Sequence, residues 1–215
     1  MPFLSRCQDL FFSTRSSHWN TGWHDHIFYT RSVDISKEAG YYRGCYEDHK
    51  GIFFMHIMSK VLKLEELVRE LDILRESGKC IVFTNGCFDI LHVGHVRYLT
   101  AARNKGDVLV VGLNSDESVR IIKGEKRPIV SEDQRAEVIA GLWCVDYVTL
   151  FNEPDPLKLI RAVTPNVLVK GADWAEENII GADFVKAGGG KVERISVVPG
   201  TSTSRIIQKI METYQ

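Results

Sequence analysis

Two histidines separated by a valine and a glycine have the spacing that most clearly suggests chemistry in this chain. The segment NGCFDILHVGH holds His92 and His95 three positions apart, with Gly94 between them. Residues three apart share one face of a helix, so both imidazoles would point the same way. A helix start also offers free backbone N–H groups and a positive dipole, which favour a phosphate. The spacing predicts a site where two imidazoles stabilise a reacting phosphate.

A structural role and a zinc site are the two other interpretations of this histidine pair. A lone histidine is most often a structural residue, and HxGH supplies only two of the ligands that zinc needs. No third histidine or cysteine stands at metal-binding spacing, so the sequence predicts no metal site of the protein's own. The turn before the pair favours the phosphate interpretation, because it combines a flexible glycine with an acidic residue at a strand end. The nucleotide-binding candidates of this segment are Asn85, Gly86, Cys87, Phe88 and Asp89, together with Gly94, which leaves room for a ligand.

The histidine segment belongs to a regular alternation of strand-like and helix-like segments that begins near Ser59. Short β-branched runs predict strands, and apolar residues at helical spacing predict helices. The pattern predicts an α/β fold: a Rossmann-like, doubly wound, parallel five-stranded sheet with helices on both faces. Such sheets bind ligands at the carboxyl ends of their strands. The predicted strands are 80–84, 107–113, 145–151, 167–170 and 191–198, and the predicted helices are 59–76, 93–105, 115–122, 132–142, 155–163, 178–187 and 201–215.

The loops after the other strands hold further candidates. After the second strand come Asn114 and Asp116, although Asn114 or its neighbour Ser115 can equally cap the next helix. The turn KGEKRP then holds Lys123, Lys126 and Arg127. An exposed basic turn is often only solvated, but beside a phosphate site these cations would neutralise phosphate charge.

Two more loops complete the expected binding edge. The segment GADW follows the fourth strand, with an acidic side chain that can accept from a hydroxyl and an indole that can stack on a ring or simply pack. The segment GTSTS opens the last helix, where hydroxyls and free N–H groups form an anion cradle. The alternative for Ser202 or Thr203 is a simple helix cap. The nucleotide-binding candidates of these loops are Gly171, Asp173, Trp174, Thr201, Ser202, Thr203 and Ser204.

Four segments together resemble the HxGH nucleotidyltransferases, a family that includes glycerol-3-phosphate cytidylyltransferases and the adenylyltransferase domain of ADP-heptose synthases. The resemblance covers about residues 59–215 and is strongest to the heptose branch. It implies transfer of AMP from ATP to D-glycero-β-D-manno-heptose 1-phosphate, with release of pyrophosphate, for lipopolysaccharide core biosynthesis. The alternatives are another sugar- or polyol-phosphate nucleotidyltransferase, such as one acting on glycerol 3-phosphate with CTP, and a nucleotide-binding module without catalysis. The segments are TNGCFDILHVGHVRYL, NSDESVRIIKGEKRP, LVKGADW and GTSTSRIIQKI.

The resemblance also implies roles for individual residues. It makes His92 and His95 the catalytic pair, gives Lys123 a phosphate contact, and implies one Mg²⁺ that accompanies ATP near Asp173. Arg135 matches a position that faces the site, and the alternative is a surface ion pair with acidic neighbours on its own helix. The substrate-binding candidates are then Asn114, Asp116, Lys126, Arg127 and Arg135.

One residue of the family pattern is absent. Related cytidylyltransferases carry an arginine before the GTSTS segment, but this chain has Val197-Val198-Pro199 there. Arg194 and Lys123 are the two candidates to replace that cation, and the sequence does not choose between them.

Composition limits the other classes of protein. The formal net charge of -1 disfavours a dedicated nucleic-acid binder. No apolar run is long enough to span a membrane, and no secretory signal is evident. Five widely spaced cysteines without a CxxC motif predict reduced thiols and a cytoplasmic location. The resemblance further implies a homodimer and a heptose kinase on a separate polypeptide.

The first 58 residues differ from the rest of the chain. They hold five of the seven histidines yet show no periodic pattern and no family match. We expect an irregular N-terminal extension, disordered or preceding the true start at Met55 or Met58, followed by a nucleotidyltransferase domain over 59–215. His18, His24 and His26 lack the repeated spacing of a metal site.

Overall fold

A computed structural model describes residues 56–214. The prediction of an irregular extension over residues 1–58 lies outside the described residues, apart from its last three positions, and stays a prediction. The five strands of the described part are β1 Ile81–Gly86, β2 Val108–Asn114, β3 Tyr147–Phe151, β4 Val167–Gly171 and β5 Lys191–Ile195. Its helices are α1 Leu64–Glu76, α2 Val93–Arg103, α3 Asp116–Lys123, α4 Glu132–Ala140, α5 Leu157–Val163, α6 Ala182–Ala187 and α7 Thr203–Tyr214, with a 3₁₀ turn at Glu176–Asn178.

The five strands form one parallel sheet in the order β3-β2-β1-β4-β5. The chain first builds outward from β1 to β3 and then crosses back to β4, so the direction of winding reverses between β1 and β4. This arrangement confirms the predicted doubly wound α/β fold. It also places the expected ligand crevice at the carboxyl ends of β1 and β4.

Two apolar layers cover the sheet, one on each face. Residues that alternate along β1 point to opposite layers, because side chains of a strand alternate in direction. Val82 packs in one layer with Leu99 of α2, and Phe83 packs in the other with Leu71 of α1. All four of these side chains are buried. Cover on both faces explains the continuous apolar runs Ile81–Phe83 of β1 and Val108–Val111 of β2.

Element boundaries differ from the predicted ones where a local interaction intervenes. The first helix begins at Leu64 because Lys60 and Leu62 form backbone hydrogen bonds with Val148 of β3. The predicted helix over 178–187 is split, since Gly181 adopts a φ of 86° before α6. No helix of the described residues is long and apolar enough to cross a membrane.

The core prediction concerns Leu99, whose side chain is fully buried between α2 and the sheet. We expect Leu99→Ala to lower the free energy of unfolding by about 2–5 kcal/mol, because the truncation removes apolar burial and leaves a cavity. Ile73→Ala, at an exposed position of α1, is the control and should change it by less than about 0.5 kcal/mol. Urea unfolding followed by circular dichroism measures both, and equal effects would contradict the assignment of Leu99 to the core.

Candidate active site

The two histidines lie together at the start of α2. His92 is the residue before the helix, with extended backbone angles, and His95 occupies its first turn. Their rings stack with centroids 3.8 Å apart and planes inclined by 23°. The ring of Phe88 meets His95 edge-on at 5.2 Å. The HxGH spacing therefore places both imidazoles on one face, as the sequence predicts.

Burial keeps both imidazoles neutral near pH 7. Burial lowers the pKa of His92, and burial together with the neighbouring His92 lowers the pKa of His95 to about 4. The Nδ1 atom of each ring is buried and has no hydrogen-bond partner among the described residues. A bare lone pair there costs less than an unpaired N–H, so the proton belongs on Nε2. Each ring can then donate one hydrogen bond from Nε2 to a ligand.

The loop between β1 and α2 is folded back on itself. Phe88 adopts a φ of 43°, a left-handed conformation that a bulky residue rarely takes. Its ring then lies over Gly86, where a Cβ atom would sit 3.0 Å from the ring. Such strain persists only where surrounding contacts enforce it, and it is common at functional sites. The turn aims the end of β1 at the start of α2.

Gly94 brings the histidine pair against the segment that opens α7. A Cβ atom at this position would lie 2.8 Å from Thr201 Oγ1 and 2.9 Å from the His92 ring. Only glycine allows both contacts. The loop after β1 and the loop after β5 therefore meet at Gly94, and the starts of two helices converge on one point of the crevice.

Two hydroxyls of the segment that opens α7 form local hydrogen bonds. The Ser202 hydroxyl accepts a hydrogen bond from the Arg205 backbone N–H at 3.2 Å, so Ser202 caps the helix. The Thr201 hydroxyl donates to the Val198 carbonyl at 2.9 Å. Thr203 and Ser204 begin the helix itself. Capping by Ser202 leaves the remaining N–H groups of the first turn for an anion, so the cap and the predicted cradle are compatible.

Asp89, predicted as a nucleotide contact, forms hydrogen bonds with other residues of the protein. Its buried carboxylate accepts hydrogen bonds from Arg127 Nε at 2.6 Å and from the backbone N–H groups of Ile129 and Val130 at 2.8 and 2.9 Å. Burial alone raises the pKa of Asp89, but these hydrogen bonds outweigh it and hold the pKa below its ordinary value. Asp89 thus ties the basic turn to β1, and it also takes up the Nε of Arg127.

Arg135 is buried beneath the loops, with 1% of its surface exposed. Its guanidinium donates to the carbonyls of Val130, Cys87 and Asn114 at 2.9, 2.6 and 2.9 Å, and to the Asp116 carboxylate at 2.7 Å. The alternative of a surface ion pair on its own helix is therefore wrong. Arg135 positions the loops after β1 and β2, and its described contacts all go to the protein.

Asn114 and Ser115 make local contacts at the end of β2. The Asn114 amide donates to the Ser118 hydroxyl at 2.9 Å, and the Ser115 hydroxyl accepts from the Ser118 N–H at 3.2 Å. Ser115 is therefore the cap of α3, as one of the sequence alternatives proposes. The acidic side chain of Asp116 is already paired with Arg135. The substrate-binding candidates Asn114 and Asp116 thus have structural contacts, and their contacts with a ligand stay predictions.

Lys123 and Lys126 are the exposed cations of the basic turn. Lys123 ends α3 and lies near enough to Cys87 to oppose the rise in the pKa of that thiol, which burial causes. Its charge therefore acts on the loop after β1, where the histidines follow. Neither lysine has a carboxylate partner among the described residues, so both charges remain available to a ligand.

The loop after β4 is exposed and carries the GADW candidates. The carboxylate of Asp173 lies against Gly171, where a Cβ atom would collide with it. The Trp174 side chain is about half exposed, and its carbonyl accepts from the Arg194 guanidinium at 3.2 Å. Arg194 thus places a cation beside this loop, which favours it as the replacement for the arginine missing before GTSTS.

Lys170, which the sequence analysis did not select, lies at the end of β4 next to the histidine loop. Its ammonium donates to the Asn85 amide oxygen of β1. On the other face of the sheet, the Tyr98 hydroxyl lies 2.7 Å from the Thr84 hydroxyl and donates to the Val169 carbonyl at 3.2 Å. A signal for Lys170 was present, because a charged residue that ends an otherwise apolar parallel strand requires a partner.

A magnesium ion would have to arrive with the nucleotide. The described residues contain no cluster of three acidic, histidine or cysteine side chains that could hold a metal ion on its own. Mg²⁺ often binds through substrate phosphates with one or two carboxylates, and Asp173 is an exposed carboxylate at this edge. The donor set therefore fits MgATP as a substrate. The cysteines of the described part are free thiols, as predicted: Cys80, Cys87 and Cys144.

The Arg135 network predicts a large effect on stability. We expect Arg135→Met to lower the free energy of unfolding by about 3–5 kcal/mol, because it leaves the Asp116 carboxylate and three buried or partly buried carbonyls without this donor. Arg120→Met replaces an exposed arginine and is the matched control, with less than about 0.5 kcal/mol expected. Urea unfolding measures both. A loss below 1 kcal/mol for Arg135→Met would show that the network does not hold the loops.

Comparison with known proteins places this geometry in a family. The chain is 54% identical over 156 residues to the bifunctional protein HldE of Citrifermentans bemidjiense, and 51% identical over 157 residues to that of Syntrophotalea carbinolica. Each alignment covers 73% of this chain and 32% of the relative, so the chain spans about a third of the length of these relatives.

A solved structure and a family pattern add to these relatives. The crystal structure of the lipopolysaccharide core biosynthesis protein from Thermoplasma volcanium GSS1 matches at 32% identity and a TM-score of 0.48, covering 56% of this chain and 98% of that one. Residues 83–209, which run from β1 into α7 and include the histidine pair, match the cytidylyltransferase-like family. The chain therefore belongs to the cytidylyltransferase-like family of nucleotidyltransferases.

Proposed function

We propose that this protein transfers AMP from ATP to D-glycero-β-D-manno-heptose 1-phosphate and releases pyrophosphate, giving ADP-heptose for the lipopolysaccharide core. The observation that carries the proposal is the stacked His92–His95 pair held by Gly94 against the start of α7. Membership of the nucleotidyltransferase family supports the reaction class. The similarity to bifunctional HldE proteins supports the heptose acceptor over glycerol 3-phosphate.

The reaction is a direct in-line displacement. An oxygen of the sugar phosphate attacks the α-phosphorus of ATP, a new P–O bond forms, and the bond to the β-phosphate oxygen breaks with its electrons leaving on pyrophosphate. The attacking oxygen is already ionised near neutral pH, so the protein needs no general base. Catalysis then rests on positioning and on neutralising the charge that gathers around the α-phosphorus.

Each element of the site has a part in that scheme. The neutral imidazoles donate from Nε2 to oxygens of the α-phosphate, and the start of α7 receives the β- and γ-phosphates. Lys123 adds positive charge from the opposite side of the loop, and Lys126 faces the incoming sugar phosphate. The loop Gly171–Trp174 borders the base and ribose, where Asp173 can accept from a hydroxyl. MgATP is the substrate form, and its metal neutralises phosphate charge.

The remaining parts of the proposal concern the protein's setting. We propose a cytoplasmic homodimer that works with a heptose kinase activity. Analytical ultracentrifugation tests the dimer, and fractionation of cells tests the location. A mass spectrum of the native protein tests whether residues 1–58 belong to the mature chain.

The histidine pair gives the first prediction for activity. His92→Ala and His95→Ala should each lower kcat by about 10²- to 10³-fold, because each removes a donor that stabilises the transition state. Release of pyrophosphate from ATP with the heptose phosphate measures this, and circular dichroism verifies the fold. Turnover near the wild-type rate in either variant would sink the proposed mechanism.

A substrate matrix separates the proposed reaction from its alternatives. The wild-type protein is assayed with ATP or CTP against the heptose phosphate or glycerol 3-phosphate. We expect turnover with ATP and the heptose phosphate. Preference for CTP and glycerol 3-phosphate would establish the other nucleotidyltransferase, and ATP binding without any turnover would establish a binding module.

Gly94 gives the second prediction for activity. Gly94→Ala should lower kcat/KM at least about 100-fold, since its Cβ atom would push apart the His92 ring and Thr201, and an ångström of misplacement costs that much. Gly141→Ala is the control, because the nearest atom to its added Cβ is 3.4 Å away. If Gly94→Ala retained wild-type activity, the contact between the two loops would not matter for the reaction.

A further inference from the structure

The crevice between β1 and β4 is bridged by side chains where the strands stop pairing. Register between these strands extends only over Val82↔Val167 and Phe83↔Leu168, although β1 continues to Gly86 and β4 to Gly171. In contrast, β1 and β2 stay in register over six residues, to the end of β1. Above the last pair, the two strands are joined by Tyr98 on one face and by Lys170 on the other.

The two bridges differ in how well their polar groups are satisfied. The Tyr98 hydroxyl uses its donor on Val169 and lies beside the Thr84 hydroxyl, so its capacity is filled. The Lys170 ammonium has three N–H donors but one protein acceptor, the neutral amide oxygen of Asn85. Burial lowers the pKa of Lys170 to about 8. Among the described residues, no carboxylate pairs with its ammonium.

The two arginines of the neighbouring loops are already neutralised. Arg127 is paired with Asp89 and Arg135 with Asp116, each through a contact shorter than 3 Å. A protein rarely buries a charge without a partner, because the loss of hydration is costly. Lys170 has no carboxylate partner among the described residues, and it lies at the carboxyl edge of the sheet, where ligands of this fold bind. An anionic ligand can therefore supply the partner.

We infer that Lys170 binds a phosphate oxygen of the substrates, and that Asn85 positions its ammonium for that contact. The inference deepens the proposed function, on which it rests, by adding a phosphate-binding residue from β4 to those of the histidine loop and of α7. The phosphate can belong to ATP or to the sugar phosphate, since both bring the same chemistry to the crevice.

The experiment compares Lys170→Met with a matched control. Methionine keeps the length of the side chain and removes the charge, and Lys79→Met does the same at an exposed position at the amino end of β1. We expect Lys170→Met to raise KM at least tenfold for one substrate, with ATP and the heptose phosphate varied separately to identify which phosphate is bound. Lys170→Arg should recover part of the loss, and Lys79→Met should match the wild type.

A stability measurement separates binding from a purely structural bridge. Without substrate, Lys170→Met should melt at the wild-type temperature or higher, because it removes a partly buried charge that has no anion among the described residues. Asn85→Asp supplies that anion internally, so it should also raise the melting temperature while weakening substrate binding. If Lys170→Met melted earlier than the wild type and left both KM values unchanged, Lys170 would be only a bridge and the inference would be overturned.

Binding without turnover keeps this test independent of the proposed reaction. Calorimetry with MgATP alone and with the heptose phosphate alone measures Kd in the wild type and in Lys170→Met. A tenfold weaker Kd for either compound supports the inference even where no transfer occurs. An unchanged Kd for both compounds, with the wild type binding normally, contradicts it whatever the acceptor proves to be.

Discussion

The guanidinium of Arg135 is the interaction on which the geometry of the site depends. A single buried cation donates to the ends of the loop after β1, of β2 and of the basic turn, and it pairs with the first residue of α3. Backbone carbonyls at strand ends would otherwise be buried without donors, which costs about 1–3 kcal/mol each. One arginine with a planar fork of donors satisfies several of them together, where lysine could not. The site is therefore assembled around a buried charge whose described contacts are all to the protein.

Asp89 and Arg127 extend this framework toward the ligand edge. Their ion pair joins the histidine loop to the basic turn, and the backbone of Ile129 and Val130 completes the carboxylate's shell. Because Asp89 and Asp116 neutralise Arg127 and Arg135, the cations left for phosphate are the lysines and Arg194. The near-zero net charge of the chain is thus compatible with anion binding, since a local group of lysines at this edge can supply the positive charge.

The fold could be predicted because its sequence signals are periodic. Many hydrogen bonds and ion pairs of the site could not be predicted. Alternating strand and helix patterns from Ser59 onward predict the doubly wound sheet, and the HxGH spacing predicts that both histidines lie on one face. The place of Arg127 in the basic turn and a family position for Arg135 predict substrate contacts, but neither signal reveals the ion pairs that the two residues form. Each has a carboxylate partner 19 or more positions away in the chain, and only the tertiary fold shows that pairing.

Lys170 illustrates the opposite limit of sequence reasoning. Lys170 is the last residue of the predicted fourth strand, and the conspicuous motif GADW begins immediately after it. Its importance comes from the loss of pairing between β1 and β4, a property of strand order that no local pattern contains. Beyond the last paired residues, β1 and β4 no longer form backbone hydrogen bonds and a crevice opens between them. Side chains from both strands span this crevice. A side chain placed there both holds the strands and faces whatever enters between them. The reversal of winding that creates the crevice therefore also determines which residues can bind in it.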